Sequence, residues 1–107
     1  MEYRQLGRSG LRVSEVSLGS WLTFGATVDV PATVEVVAAA LDAGINFFDT
    51  ADVYAGGAAE AALREALRGR PRHHLVIATK AFFPMSDDPN DRGLSRKHLF
   101  ESVHASL

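Results

Sequence analysis

Short alternating stretches open the chain and give way to helical spacing further on. Residues 3–6 and 11–13 are brief extended segments around Arg8-Ser9-Gly10, which reads as a hairpin with glycine where the turn needs a positive φ. Residues 16–18 form another short strand, ending at Gly19-Ser20. From Pro31 the spacing changes. Val34, Val37, Ala38 and Leu41 recur at i, i+3, i+4 and i+7, with proline in the first turn and Gly44 just past the end, which predicts a helix burying that face. Residues 45–49 make an apolar run closed by a carboxylate, as expected of a strand covered on both faces. A loop through Tyr54-Ala55-Gly56-Gly57 leads into a second helix, where Ala59, Leu63, Ala66 and Leu67 share a face and Gly69 with Pro71 stop it. Residues 75–79 are the next strand, closed by Lys80. Two prolines, one glycine and an acidic run mark residues 81–94 as a loop, and Ser95 is a good N-cap for a helix carrying Leu99, Val103 and Leu107.

The order of these elements matters more than any one of them. Leu18, Asp49 and Lys80 fall 31 residues apart at successive strand ends, one βα unit each time. Eight such units come to about 250 residues, the usual size of a (β/α)8 barrel. The expected fold is therefore α/β, a partial (β/α)8 TIM barrel made of an N-terminal hairpin and about three βα units. Residues 1–107 read as the N-terminal portion of a barrel domain. Its parallel strands would have open edges and its helices would lack neighbours on one side, so a complete domain is not expected.

Composition narrows the function without naming it. The 107 residues are 47% hydrophobic and 22% charged with a formal net charge of -2, ordinary for an α/β protein that is neither disordered nor built into a membrane. Arg64, Arg68, Arg70 and Arg72 form no basic stripe with interleaved aromatics, which argues against a nucleic-acid partner. There is no cysteine, hence no disulfide and no thiolate metal site, and no signal-peptide-like or membrane-spanning run, so a cytoplasmic protein is expected. His73, His74, His98 and His104 have no metal-pair spacing and read as solvated, and the acidic loop lacks the pattern of a calcium site, so no metal is expected. Self-association into a homo-oligomer is left open.

Barrel enzymes carry their reactive groups at the C-terminal ends of strands and on the loops after them. Asp49 and Lys80 occupy two such ends, and Tyr54 lies five residues after Asp49. Hydride reduction of a carbonyl leaves charge on oxygen, and tyrosine can supply the neutralising proton if its pKa, ordinarily about 10, is lowered. A lysine ammonium beside it would lower that pKa, and a carboxylate beside the lysine would keep the ammonium charged and in place. No G-x-G-x-x-G is present, which counts against a Rossmann start. Phe82 and Phe83 suit core packing as well as a pocket wall and are not assigned.

Phe48-Asp49-Thr50-Ala51-Asp52-Val53-Tyr54 resembles the DTA-x-x-Y signature of the aldo-keto reductases, and Thr79-Lys80 resembles their catalytic-lysine strand. Residues 3–14, Leu18-Gly19-Ser20-Trp21 and Gly93-Leu94-Ser95-Arg96-Lys97-His98 resemble the branch that holds the potassium-channel β subunits and their bacterial relatives. The likeness runs the length of the chain. It implies an NADPH-dependent enzyme that reduces small-molecule aldehydes or ketones, with Tyr54 as acid, Lys80 lowering its pKa, and Asp49 pairing with Lys80 near the nicotinamide ribose. Ser20 and Trp21 would touch the cofactor. An NADPH-binding regulatory subunit or an inactive truncated fragment is the alternative that the resemblance permits. The chain departs from the branch at Thr27, where glutamine is common, and between Tyr54 and Lys80, where it is about two residues shorter.

Overall fold

The computed structural model describes residues 1–107. Strands β1 (Tyr3–Gln5) and β2 (Arg12–Ser14) pair antiparallel as the predicted hairpin, with Arg4 opposite Val13. The remaining strands, β3 (Leu18–Gly19), β4 (Phe47–Asp49) and β5 (Val76–Ala78), form a parallel sheet in that order. Helix α1 (Val30–Asp42) links β3 to β4, α2 (Ala58–Ala66) links β4 to β5, and α3 (Arg96–Ser106) follows the long loop after β5. Strand, helix and adjacent parallel strand repeat as expected of part of a (β/α)8 barrel. The hairpin is tied to the start of β4 by Asn46, whose Oδ1 accepts from the Ser14 amide at 2.8 Å and whose Nδ2 donates to the Arg12 carbonyl at 3.1 Å.

The helix boundaries follow their local chemistry. Asp29 caps α1 by accepting from the Ala32 amide, and Gly44, at φ +89°, ends it where a side chain would be strained. Ser95 caps α3 by accepting from the His98 amide at 3.1 Å. The core lies between the sheet and the first two helices, where Phe48, Val37, Phe24, Leu63 and Leu75 pack together. On α2 the buried residues are Ala59, Ala62, Leu63 and Ala66, the face its spacing predicts.

Several expectations need correcting. On α1 Val37 is buried and Leu41 packs against the core as expected, but Val34 is exposed and Thr33 and Ala40 are buried; Thr33 can be buried because its hydroxyl donates to the Asp29 carbonyl at 2.8 Å. On α3 the buried residues are His98 and Ser102, and Leu99, Val103 and Leu107 face outward. His98 is therefore not solvated: it is 1% exposed, with Nε2 3.4 Å from the Ser102 hydroxyl and Nδ1 3.7 Å from an Asp91 carboxylate oxygen. Strand β4 is fully covered only on the Phe48 side, and Phe47 and Asp49 are half-buried. Three strands do not curl far enough to cover their own inner face.

The segment after β3 is pinned against the start of α2 at Gly25. Its φ is +71°, and an added Cβ would sit 2.6 Å from the Ala58 carbonyl carbon. Gly25→Ala in the full-length protein should lower its stability by about 2 kcal/mol or more, since backbone strain and overpacking act together. The chemical-unfolding midpoint measures this, and a variant as stable as its parent would contradict the close approach.

Candidate functional site

The sheet register sets the level of each functional group. Asp49 ends β4 and pairs with Gly19 on one side and Ala78 on the other. Hydrogen bonding continues past the strands, from the Ser20 amide to the Asp49 carbonyl (2.9 Å), the Thr50 amide to the Ala78 carbonyl (2.8 Å) and the Asp52 amide to the Lys80 carbonyl (3.1 Å). Lys80 thus lies two residues beyond the partner of Asp49, not level with it as the 31-residue spacing suggests. In extended chain the faces alternate with period two, so Lys80 keeps the face of Ala78 and Asp49. Its long side chain covers the offset.

The Lys80 ammonium donates to Asp49 Oδ1 and Oδ2 at 2.7 and 2.9 Å, to the Thr50 main-chain carbonyl at 2.8 Å and to Tyr54 Oη at 3.3 Å. An ammonium has three protons, and a carboxylate, a carbonyl and a phenol account for all of them. Partial burial pulls the Lys80 pKa down. The hydrogen bonds and negative charge of Asp49 and Tyr54 outweigh that, so the pKa stands above its ordinary 10.5 and the group is cationic through the neutral range.

Tyr54 begins a single tight turn, Tyr54–Gly57, in which Ala55 (φ 49°) and Gly56 (φ 59°) are left-handed. The left-handed region strains a residue that has a Cβ, and here it accompanies the bend that sets the phenol over Lys80. The Trp21 ring stacks 6.3 Å from that of Tyr54, centroid to centroid, and is 64% exposed. Ser20 sits lower. It is 1% exposed and its Oγ donates to Thr50 Oγ1 at 2.9 Å. Asp49, Tyr54, Lys80 and Trp21 thus gather at one end of the sheet, and Ser20 lies beneath them.

An open recess of about 590 Å³ adjoins Tyr54, walled by Ser20, Trp21, Leu22, Phe24, Val53 and Phe83 among others. A larger one, about 730 Å³, lies between residues 25–32 and α2 and contains none of the four gathered side chains. Chemistry favours the smaller recess. Phe83, unassigned from the sequence, is part of its wall, and the Thr50 carbonyl is a main-chain group that no side-chain pattern announces.

The aldo/keto reductase family model matches residues 15–107. The chain belongs to the aldo/keto reductase family. It is 50% identical over 109 residues to a probable voltage-gated potassium channel subunit β of Oryza sativa subsp. japonica and 48% identical to one of Arabidopsis thaliana. Each match covers all of this chain and 33% of the relative, so this aldo/keto reductase chain spans about a third of the length of the curated relatives it matches. Among solved structures it superposes on a holo-form aldo-keto reductase from Bacillus halodurans with a TM-score of 0.85 at 33% identity, covering all of this chain and 35% of that one. A thermostable aldo-keto reductase bound to the inhibitor epalrestat gives 0.82 at 28% identity, covering all of this chain and 38% of that one. The fold is that of a partial aldo/keto reductase barrel.

The raised Lys80 pKa makes a stability prediction. A group whose folded pKa exceeds its unfolded value contributes fully below the unfolded pKa and loses that contribution as pH rises through the folded one. The unfolding free-energy difference between the full-length parent and Lys80→Met should therefore hold from neutral pH to 10.5 and shrink above it. Lys80 is 51% exposed in this chain, where solvent screening limits the pair's contribution to about 1 kcal/mol or less, so the test is the direction of the pH dependence. A difference already lost by pH 9 would contradict the assignment.

Proposed function

We propose that this chain is the N-terminal portion, residues 1–107, of an NADPH-dependent reductase that converts aldehyde or ketone carbonyls to alcohols. The observation that carries the reading is the Lys80 ammonium held between the Asp49 carboxylate and the Tyr54 phenol. Tyr54 Oη would donate its proton to the substrate oxygen, and Lys80, at 3.3 Å, stabilises the negative charge left on the phenol. Asp49 neutralises Lys80 and keeps it in place. NADPH, when bound, supplies the hydride. The exposed Trp21 indole offers a flat apolar surface, and the partly exposed Asp49 carboxylate can accept from a ribose hydroxyl. Those groups fit a nicotinamide nucleoside. Ser20 joins this region through its position at the end of β3 rather than through a free hydroxyl.

The substrate side is the recess beside Tyr54, whose aromatic and aliphatic walls suit a small uncharged carbonyl compound. No helix is long and apolar enough to cross a membrane. A cytoplasmic location is part of the proposal and rests on the cysteine-free sequence, which suits a reducing compartment. A second reading has its own support in the two plant relatives described as probable channel β subunits: a regulatory subunit that holds NADPH and turns over slowly. Steady-state turnover set beside the rate of cofactor release separates the two.

In the full-length protein, Tyr54→Phe should lower carbonyl reduction by about 10² to 10⁴ while NADPH binding, read by nucleotide fluorescence, stays at the parent's level. Unchanged turnover would remove Tyr54 from the chemistry. Slow turnover in the parent, with the cofactor retained between turnovers, would favour the regulatory reading.

A further inference from the structure

The third Lys80 proton is the one that no side chain explains. Asp49 and Tyr54 bind the ammonium through side chains, but its 2.8 Å contact with the Thr50 carbonyl depends on how one peptide unit is turned. Thr50 itself, whose rotation at Cα aims that carbonyl, is held from two directions. The Thr50 amide donates to Ala78 across the β5 side, and the Thr50 hydroxyl accepts from Ser20 across the β3 side at 2.9 Å. Thr50 is 2% exposed and Ser20 1%, so the hydroxyl pair lies in the dry layer directly under the site. A buried hydroxyl without a partner is costly, so each hydroxyl holds the other's rotamer.

We propose that the buried Ser20–Thr50 hydroxyl pair is a positioning element for Lys80: it fixes the Thr50 peptide so that its carbonyl takes one ammonium proton, leaving another aimed at the Tyr54 phenol. An ammonium is a compact charge on a flexible stem and rotates freely unless its protons are assigned. With Asp49 alone, Lys80 would be held at one point and could swing its charge away from Tyr54. A carbonyl acceptor on the strand between fixes a second direction, and the third follows from tetrahedral geometry. Thr50 lies outside the recess and acts through Lys80; Ser20 borders the recess, but its hydroxyl is turned to Thr50.

The role in proton donation rests on the reductase reading above, and the test separates the two. In the full-length protein, the Lys80 ammonium signal, identified by its disappearance in Lys80→Met, is followed by proton–nitrogen NMR in the parent, Thr50→Val, Thr50→Ser and Ser20→Ala. The same proteins are assayed for kcat and for the NADPH KM. Thr50→Val keeps the shape and removes the hydroxyl; it should lose the slowly exchanging ammonium signal and lower kcat by roughly tenfold or more, as misplacement of a catalytic group does, with the NADPH KM little changed. Thr50→Ser should restore both. If Thr50→Val does not fold, Ser20→Ala breaks the same pair from the other side and should show the same loss of signal. A folded Thr50→Val or Ser20→Ala with the parent's ammonium exchange would overturn the proposal, as would a Thr50→Ser as impaired as Thr50→Val. A parent that shows no carbonyl reduction would refute the reductase reading alone, because the exchange measurement still decides whether the pair orients Lys80.

Discussion

The site depends on one cation whose three protons are all assigned. Lys80 sits two residues past the register partner of Asp49, and its side chain reaches back to join the Asp49 carboxylate, the Thr50 carbonyl and the Tyr54 phenol. Each acceptor belongs to a different structural layer: a strand end, the peptide after it, and a strained turn. An ion pair this exposed adds little to folding stability. Its value lies in holding a positive charge next to a phenol oxygen, which needs fixed geometry more than a large energy.

That geometry is assembled by the parallel sheet. Because β4 runs between β3 and β5, Asp49 has a strand on either side, and hydrogen bonds from Ser20, Thr50 and Asp52 stitch the three strand ends together just beyond the last paired residues. Gly25 lets the chain after β3 approach the start of α2, and the left-handed turn at Ala55 and Gly56 brings Tyr54 back over the sheet. The recess lined by Trp21, Phe83 and Tyr54 is bounded by these constrained segments.

The hairpin, β4, β5, the order of elements and the gathering of Asp49, Tyr54 and Lys80 were legible in the sequence, because β4 and β5 lie in apolar runs and the family motif names its own side chains; β3 was misplaced, since it is Leu18–Gly19 and not residues 16–18. The face of α2 was legible for the same reason, being a simple apolar stripe. Elsewhere polar residues misled the reading. Thr33 is buried with its hydroxyl on the Asp29 carbonyl, and His98 and Ser102 are buried together with Nε2 3.4 Å from the Ser102 hydroxyl, so apolar periodicity found only Val37 and Leu41 of the α1 face and missed the α3 face. Spacing also misled: 31 residues between Asp49 and Lys80 suggests level strand ends, whereas the register pairs Asp49 with Ala78 and lets side-chain length make up the difference. The Thr50 carbonyl and the Gly25 approach had no signal, since main-chain acceptors and close backbone contacts leave no residue-type pattern.

The central claim is that Asp49 and Lys80 act as one unit on Tyr54. A double-mutant cycle on kcat in the full-length protein, using Asp49→Asn, Lys80→Met and the pair together, measures this directly. If the account holds, either single change removes most of the effect and the double variant is little worse than Lys80→Met alone, as groups acting as a unit behave. Additive losses, with the double variant slowed by the product of the two single factors, would show that Asp49 and Lys80 serve separate purposes and would contradict the account.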